Sequence, residues 1–238
     1  MMNYPLFEVT NLHSYYGDSH ILQGINLEIY SGEIVVLVGR QGAGKTTLLL
    51  SLMGIHPLQQ GKIILNGVEL SGLPSWKIAQ QGVGLVPENR RIFPDLTVEE
   101  NLEVAAESKR INENLSQAYT DFPELKALRF QRARNLSGGQ QQMLTIARTL
   151  IRDPKLILMD EPTEGLAPVL IQRIQQVIQH LKNRGKTVLI TGQNITFALD
   201  LASTVYILDT GIIQWKGSIQ MLNSNPNLLW NYLGIKEK

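Results

Sequence analysis

The sequence predicts an α/β fold, in which a largely parallel β-sheet is covered by helices and interrupted by an inserted helical block. Short, almost uninterrupted apolar runs alternate with amphipathic helical segments in both halves of the chain. Such runs are typical of strands buried on both faces, and their alternation with helices is typical of a parallel sheet. Between residues 98 and 150 the pattern is helical and more polar, which predicts a helical subdomain inserted into the core.

The first third of the chain carries most of the predicted strands. They are Leu6–Thr10, Ile25–Ile29, Glu33–Val38, Lys62–Leu65 and Val83–Val86. The strand that ends at Val38 is followed by a glycine-rich turn and then by Lys45–Met53, whose pattern predicts a helix.

The last third predicts two further buried strands, Lys155–Met159 and Thr187–Thr191, with a helix at Pro168–Asn183 between them. Gly185 follows the helix and is a plausible stop. One face of the helix carries Leu170, Ile174, Ile178 and Leu181.

A hairpin is predicted near the end of the chain. Thr204–Leu208 and Ile212–Trp215 flank the turn Asp209-Thr210-Gly211. We expect a single domain over residues 1–238, with a strand-containing core at 1–87 and 152–238 and a helical subdomain at 88–151.

Composition limits the classes of function. The chain has 238 residues, 43% of them apolar and 18% charged, with a net charge of +1 and no cysteine. A near-neutral balance argues against nucleic-acid binding, because proteins that bind phosphate backbones usually carry a basic face. The lack of cysteine excludes disulfides and cysteine-ligated metals. No apolar run approaches the roughly 18 residues of a membrane span, and the segment MMNYPLFEVTN lacks the features of a signal peptide.

A phosphate-binding loop is predicted after the strand that ends at Val38. The segment GRQGAGKT matches G-x-x-x-x-G-K-[ST] and comprises Gly39, Arg40, Gln41, Gly42, Ala43, Gly44, Lys45 and Thr46, with Thr47 next. Glycines let backbone N–H groups turn toward phosphates, Lys45 reaches the β- and γ-oxygens, and the Thr46 hydroxyl holds Mg²⁺. A chance match is expected in roughly one chain of this length in a hundred. Because the required strand and helix are also predicted here, we expect nucleotide binding.

Two acidic residues follow the buried strand Lys155–Met159. A carboxylate at the carboxyl end of such a strand lies where α/β sheets bind their ligands. Asp160 is therefore expected to contact Mg²⁺, and Glu161 to orient and polarise the attacking water. Without the phosphate-binding loop upstream, a catalytic role for Asp160 and Glu161 would be no better an interpretation than two acidic residues that simply end a strand.

The segment NLSGGQQQM, residues 135–143, predicts a second helix start suited to an anion. Ser137 and Gln140 have the spacing of a capping box. Gly138 and Gly139 are poor helix formers in its first turn, and they would let phosphate approach the backbone. Since one nucleotide does not need both helix starts from one chain, we expect two chains to pack head to tail around each ATP.

These motifs resemble the ATP-binding subunits of ABC transporters. GRQGAGKT, LSGGQQQ, LILMDEP and the pair Gly165-Leu166 occur in that family's order, LSGGQ is specific to the superfamily, and the likeness covers essentially the whole chain. The resemblance implies a RecA-like P-loop NTPase core with an N-terminal antiparallel β region and an inserted helical subdomain. It also implies Mg²⁺-dependent hydrolysis of ATP.

Several site residues follow from the resemblance alone. Tyr16 matches the aromatic residue that stacks on adenine, although without the family match a tyrosine packed over a strand is the better interpretation. Glu164 and Gly165 match the loop that contacts the other subunit. The residues that match the signature facing the opposite nucleotide are Ser137, Gly138, Gly139 and Gln140.

Two departures from the family pattern bear on catalysis. Glu88 stands where most relatives have glutamine; it can orient water or reach Mg²⁺, and it adds a negative charge. Gln193 stands where most relatives have histidine; its amide can donate to the γ-phosphate but cannot become cationic.

The finer likeness concerns the transported solute. LVPENRRIFPDLTVEENL, MLTIAR and EPTEGLAP resemble most the ATPases of importers for branched-chain or other hydrophobic amino acids, with urea and short-chain amide importers close behind. The implied partners are a second ABC ATPase, identical or related, polytopic membrane permeases at the cytoplasmic face, and indirectly an extracellular or periplasmic solute-binding protein. A soluble ABC ATPase without a transport role and a module that binds ATP without hydrolysing it are the alternatives.

Overall fold

Two β-sheets and a set of helices make up the computed structural model, which describes residues 4–107, 110–192 and 199–225 together with Leu228 and Tyr232. Its strands are β1 (Phe7–Tyr16), β2 (Ser19–Ile29), β3 (Ile34–Val38), β4 (Gln60–Leu65), β5 (Val68–Glu69), β6 (Val83–Val86), β7 (Leu156–Met159), β8 (Thr187–Gly192), β9 (Thr204–Asp209) and β10 (Ile212–Ser218). Its helices are α1 (Lys45–Leu52), α2 (Ser75–Gln81), α3 (Val98–Ala105), α4 (Ile111–Asp121), α5 (Pro123–Ala127), a 3₁₀ turn (Ala133–Asn135), α6 (Gly138–Leu150), α7 (Pro168–Asn183) and α8 (Ile219–Asn223).

The larger sheet has six strands in the order β10-β9-β3-β8-β7-β6. β6, β7, β8, β3 and β9 pair in parallel, and β10 closes one edge antiparallel to β9. Every residue of β3 and β7 is buried, which explains their uninterrupted apolar sequences. The prediction of a largely parallel α/β sheet is confirmed.

The smaller sheet is antiparallel and has four strands in the order β2-β1-β4-β5. The first two strands are longer than predicted: β1 continues to Tyr16, and β2 begins at Ser19. The sequence pattern hid the second half of β1, because the buried Ser14 is polar like the partly exposed His13 before it. The short α2 and β5 were not predicted either.

The helical block shares its core with the main sheet. One buried cluster contains Leu102 of α3, Phe122 between α4 and α5, Leu144 of α6, Ile157 of β7 and Val188 of β8. Because α6 packs directly on the sheet, the signature segment at its N-terminus is held at a fixed position relative to the strands. The boundary of the helical subdomain at 88–151 remains a prediction.

In α7, the predicted apolar face is confirmed at Ile174, Ile178 and Leu181, which are buried. Leu170 is only partly buried. Within the described part of the chain, none of the helices has both the length and the apolar character needed to cross a membrane.

Candidate functional site

The phosphate-binding loop joins β3 to α1, as the motif requires. Gly44 is the N-cap of α1 and has a φ of 106°, a left-handed conformation that glycine adopts without strain. The helix then begins at Lys45, so its first N–H groups face the loop. This arrangement presents a positive helix end and backbone donors to an anion.

Lys45 is buried under the loop, and its ammonium is fully engaged. Its Nζ donates hydrogen bonds to the carbonyl oxygens of Gly39 at 2.9 Å and Arg40 at 3.1 Å. It also forms an ion pair with Glu161, with 3.0 Å between Nζ and Oε1. The two residues to which the sequence assigns γ-phosphate binding and water activation thus contact each other directly.

Asp160 follows β7 directly and is 3% exposed. The Thr191 hydroxyl at the end of β8 donates to Asp160 Oδ1 at 2.8 Å, and the Thr46 side chain also hydrogen-bonds this carboxylate. Burial raises the pKa of Asp160, although these two hydrogen bonds oppose the effect. Asp160 therefore sits within reach of the residue predicted to share Mg²⁺ with it.

Glu161 lies in a left-handed backbone conformation, with a φ of 43°. Its N–H donates to the Thr191 hydroxyl oxygen at 3.1 Å, so Thr191 holds both acidic residues. Left-handed non-glycine residues cost about 1–3 kcal/mol each and persist where surrounding contacts fix them. Sequence reasoning missed Thr191, because only the pairing of β7 with β8 brings it to Asp160.

The carboxylates of Glu88, Asp160, Glu161 and Glu164 all interact electrostatically with the Lys45 ammonium. Burial, followed by the charges of Asp160 and Glu161, raises the pKa of Glu88. The pKa of Glu164 is raised first by a hydrogen bond with Glu161 and then by burial. The site has an excess of negative charge that a divalent cation would offset.

A cavity of about 260 Å³ brings most of these groups together. Its lining consists of Ile21, Gln41, Gly42, Gly44, Lys45, Thr46, Thr47, Glu88, Glu161 and Glu164. Ile21 is an addition to the predicted residues, and it comes from the half of β2 that the sequence pattern missed. Tyr16 and the signature residues lie outside this cavity, and Gln193 lies outside the described residues.

The signature segment begins α6 with the predicted capping box. Ser137 Oγ accepts from the Gln140 N–H at 3.3 Å, and Gln140 Oε1 accepts from the Ser137 N–H at 2.9 Å. Ser137 is exposed, as a contact with another subunit requires. Gly139, in contrast, is buried, and a Cβ there would lie 2.1 Å from Leu170 Cδ1 of α7. Close packing within this chain thus accounts for the second glycine without any phosphate.

Arg90 connects the signature helix to the loop after Glu88. Its guanidinium would lie 3.3 Å from a Cβ at Gly138, and its Nη1 donates to Gln141 Oε1 at 3.3 Å. The Arg90 carbonyl oxygen accepts from the Thr145 hydroxyl of α6 at 3.0 Å. Sequence reasoning did not assign these roles, which depend on how the loop after Glu88 folds onto α6.

Comparison with known proteins decides the family. The family model described as ABC transporter matches residues 22–164, a segment that contains the phosphate-binding loop, Glu88, the signature and both acids after β7. The chain belongs to the ABC transporter family of ATP-binding proteins. As an ABC ATP-binding cassette, it binds and hydrolyses ATP.

Three relatives illustrate the range of this family. The chain is 42% identical to the high-affinity branched-chain amino acid transport ATP-binding protein BraG of Pseudomonas aeruginosa, over 93% of this chain and 96% of that relative. It is 34% identical to the probable branched-chain amino acid transport ATP-binding protein LivF of Archaeoglobus fulgidus, over 91% and 94%. It is 35% identical to the lipopolysaccharide export system ATP-binding protein LptB of Haemophilus influenzae, over 96% and 97%.

Solved structures confirm the ABC cassette fold. The ADP conformation of MJ1267, an ATP-binding cassette of an ABC transporter, matches with a TM-score of 0.83 at 24% identity, over 97% of this chain and 99% of that chain. The dimeric bacterial ABC transporter cassette MJ0796 matches with a TM-score of 0.80 at 24% identity, over 90% and 98%.

Proposed function

We propose that this ABC ATPase energises the uptake of branched-chain or other neutral, hydrophobic amino acids through separate membrane subunits. The observation that carries the proposal is the 42% identity to BraG over nearly the full length of both chains. Export of lipopolysaccharide is the second candidate, because LptB of Haemophilus influenzae is 35% identical over a slightly larger share of the chain. The higher identity to BraG favours amino-acid import, and urea or short-chain amide import remains the alternative within importers.

The proposed hydrolysis begins with an exchange of partners at Lys45. A γ-phosphate bound in the loop replaces Glu161 as the anion next to the ammonium. The released Glu161 carboxylate then orients the attacking water and takes its proton as general base. Thr191 keeps the Glu161 backbone in place during this exchange, since its hydroxyl oxygen accepts from the Glu161 N–H.

The residues present suit Mg²⁺ as the metal that accompanies ATP. Asp160, Thr46 and Glu88 offer oxygen atoms, the donors that Mg²⁺ prefers. Within the described ranges there is no group of three or more His, Cys, Asp or Glu residues able to hold a metal by themselves. This suits Mg²⁺, which keeps several waters and binds through one or two carboxylates together with substrate phosphates. When bound, the ion would offset negative charge on the phosphates.

A second ABC ATPase completes each site in this proposal. Ser137 is exposed at a capped helix start whose positive end can face the γ-phosphate held by the other subunit. Tyr16, exposed at the end of β1, would stack on the adenine of the chain's own nucleotide. We favour a pair of different ATPases, because importers of the resembled branch commonly combine two.

Gln193 gives the two sites of such a pair different chemistry. A neutral amide donates an ordinary hydrogen bond to the γ-phosphate, whereas charge-assisted bonds are roughly twice as strong. The site built on this chain's loop is therefore proposed to be the slower one when the other ATPase has histidine at the matching position.

A groove between α2, β6 and α6 is proposed to receive a cytoplasmic helix of the permease. It has a volume of about 360 Å³, and its lining includes Ile55, Trp76, Arg148 and Arg152. Trp76 is 58% exposed, and the Lys77 ammonium lies 5.4 Å from its ring centroid. A large exposed aromatic ring at the rim of a groove is typical of a site that binds another protein. From the sequence, we expect the segment Glu88–Phe93 and the helical block at 98–150 to form the groove for the permease. Phe93 does not line the α2–β6–α6 groove but lies beside it, with its ring centroid 5.2 Å from the Arg148 guanidinium carbon. Binding there would place the chain peripherally at the cytoplasmic face.

Purification of the tagged chain from its native membranes in mild detergent tests the proposed function. We expect a permease pair to co-purify and, in proteoliposomes with its binding protein, to support ATP-dependent uptake of labelled leucine but not of urea. The matched variant Trp76→Glu should lose the permease and retain ATP binding. Co-purification with export subunits, together with ATP-dependent release of lipopolysaccharide, would overturn the assignment to import.

A further inference from the structure

The ring of Tyr16 is stacked on one face by a histidine from a distant part of the chain. The centroids of the Tyr16 and His56 rings are 4.1 Å apart, and their planes are inclined by 25°. Tyr16 ends β1, whereas His56 lies in the loop after α1. Tyr16 as a whole remains 51% exposed, so the stack covers only part of its ring.

His56 is fixed by contacts that do not involve Tyr16's ring. Its Nε2 lies 3.1 Å from the carbonyl oxygen of Tyr15; because a carbonyl only accepts, His56 carries its proton on Nε2 and donates it. The His56 N–H also donates to the carbonyl oxygen of Leu50 at 3.1 Å. One hydrogen bond therefore holds the imidazole ring of His56, and another holds its backbone.

The loop that carries His56 is also attached to β1. The Ser14 hydroxyl donates to the carbonyl oxygen of Pro57 at 3.4 Å, and the Ser51 hydroxyl donates to Ser14 Oγ at 3.4 Å. Ser14 and Ser51 are fully buried. The platform under Tyr16 is consequently built into the fold by the loop after α1, the helix that begins at the phosphate-binding loop.

The position of the stack relates it to the nucleotide cavity. Tyr16 pairs with Ser19 across the first hairpin, and Ile21, two residues along β2, lines the cavity of the phosphate-binding loop. The stack joins an exposed ring, Tyr16, to a partly buried one, His56, so it contributes little to the buried core. What it does determine is the direction that the Tyr16 ring faces.

We propose that His56 is a positioning residue for the adenine of ATP. It holds one face of Tyr16 so that the opposite face is presented to the base, and this inference rests on the proposed adenine contact of Tyr16. Aromatic rings prefer offset stacking with centroids about 4.5–7 Å apart, and the Tyr16–His56 separation of 4.1 Å lies just below that range. In the proposed arrangement, the base, Tyr16 and His56 form a continuous stack. Because the contact concerns the base and not the γ-phosphate, its loss raises KM for ATP and leaves kcat unchanged.

Calorimetry on the full-length chain with Mg²⁺ provides the first test. His56→Ala should weaken ADP binding about two- to tenfold, the range expected for one aromatic stacking contact, and leave pyrophosphate binding unchanged. His56→Phe should restore ADP binding, because it keeps a ring against Tyr16. His180→Ala, which removes an exposed histidine from α7, is the matched control. Equal loss of ADP and pyrophosphate binding would show a general disturbance of the loop and overturn the proposal.

A double-mutant cycle with Tyr16→Ala decides whether His56 acts through Tyr16. We expect His56→Ala to have no further effect on ADP affinity once Tyr16 is alanine. If His56→Ala still weakened ADP binding in that background, His56 would contact the nucleotide itself and the positioning role would be wrong. If Tyr16→Ala weakened ADP binding but His56→Ala did not, only the role of His56 would fail. If Tyr16→Ala had no effect, the adenine contact and the role of His56 would fail together, with the ATPase assignment unaffected.

Discussion

At the scale of single residues, the contact between Lys45 and Glu161 shapes what the site can do. The two side chains form a 3.0 Å ion pair, with 4% and 11% of their side chains exposed. The Glu161 oxygen that pairs with the Lys45 ammonium is not available to take a proton from water. Arrival of the γ-phosphate thus both fills the loop and frees the proposed base, which ties hydrolysis to binding.

The first prediction concerns Glu161→Gln. Turnover of the complete complex should fall by about 10²- to 10⁴-fold, the usual contribution of general-base assistance. ATP binding should be retained or strengthened, because the phosphate no longer competes with a carboxylate for Lys45. Steady-state ATPase assays and equilibrium nucleotide binding measure the two effects.

The control is Glu164→Gln, which removes a charge from the same cavity without removing the residue next to Lys45. It should hydrolyse ATP within a few-fold of the parent. Near-normal turnover in Glu161→Gln would remove Glu161 from the proposed role.

The second prediction uses the raised pKa of Glu88. Its ordinary value is 4.5, and burial together with the nearby carboxylates shifts it upward. A raised pKa means that the folded chain binds the proton more tightly than the unfolded chain does, so stability is lost as pH rises through the ordinary value toward the raised one. Glu88→Gln should therefore raise the melting temperature at pH 8 and leave it unchanged at pH 4, where both states are largely protonated.

The gain should be a few degrees at most, because Glu88 is only slightly buried and solvent screens its charge. Glu113→Gln, whose side chain is 77% exposed on α4, should show no gain at pH 8. A decrease at pH 8 for Glu88→Gln, measured by calorimetry without nucleotide, would mean that Glu88 stabilises the folded site.

At the scale of elements, α6 and α7 depend on a missing side chain. Leu170 of α7 occupies the place where a Cβ of Gly139 would lie. Gly139→Ala should therefore lower the free energy of unfolding by about 1–3 kcal/mol, the usual cost of adding a methyl group to a well-packed core. A better helix former would otherwise stabilise α6 by up to about 1 kcal/mol, so the sign of the change separates the two effects.

The test of this third prediction is a reversal of sign. In a Leu170→Ala background, Gly139→Ala should become neutral or stabilising in urea unfolding. Gly138→Ala is the control: it would meet the flexible Arg90 guanidinium at 3.3 Å and should cost little. If Gly139→Ala destabilised the chain equally with and without Leu170, the packing account would be wrong.

Elements with a simple burial pattern could be predicted from the sequence, and the others could not. Val83–Val86 and Pro168–Asn183 have the predicted bounds, because one is a buried run and the other a long amphipathic helix with Gly185 after it. The second half of β1 was missed because one of its buried positions is the polar Ser14, so its burial alternates but its apolar pattern does not. The helix Ser75–Gln81 is too short for its period to be recognised.

The candidate site divides in the same way. The loop from Gly39 to Thr46 is contiguous, so its motif is visible in the sequence. Lys45 contacts Glu161, and Thr191 contacts Asp160. These residues lie in β8 or follow β3 and β7, so the contacts depend on the sheet order β3-β8-β7. The stack of His56 on Tyr16 likewise depends on how a loop returns to β1, and the histidine has no motif that predicts it.

At the scale of the whole molecule, the phosphate-binding loop and the signature lie at separate places on the chain. Residues of the loop line one cavity together with Ile21, Glu88, Glu161 and Glu164, and the signature residues lie outside it. In the proposed arrangement, each such cavity needs a signature that another subunit supplies. The proposed head-to-tail dimer satisfies this condition for both nucleotides at once.

The last prediction separates the roles of the loop and the signature. Ser137→Arg places a large cation at an exposed N-cap, where it removes the hydroxyl that accepts from the Gln140 N–H and opposes the positive end of α6. ATP should still bind to this chain's own loop with unchanged affinity, because Ser137 does not line that cavity. In the assembled dimer, ATP-driven closure should fail at the site whose nucleotide is held by the other subunit, and hydrolysis there should fall at least tenfold. Ser137→Thr keeps a capping hydroxyl and should bind and close normally. Single-turnover assays with each phosphate-binding loop inactivated in turn, by Lys45→Ala or its equivalent, assign the loss to one site. Loss of ATP binding at this chain's own loop in Ser137→Arg would mean that the signature serves the nucleotide of its own chain, and the head-to-tail arrangement would be wrong.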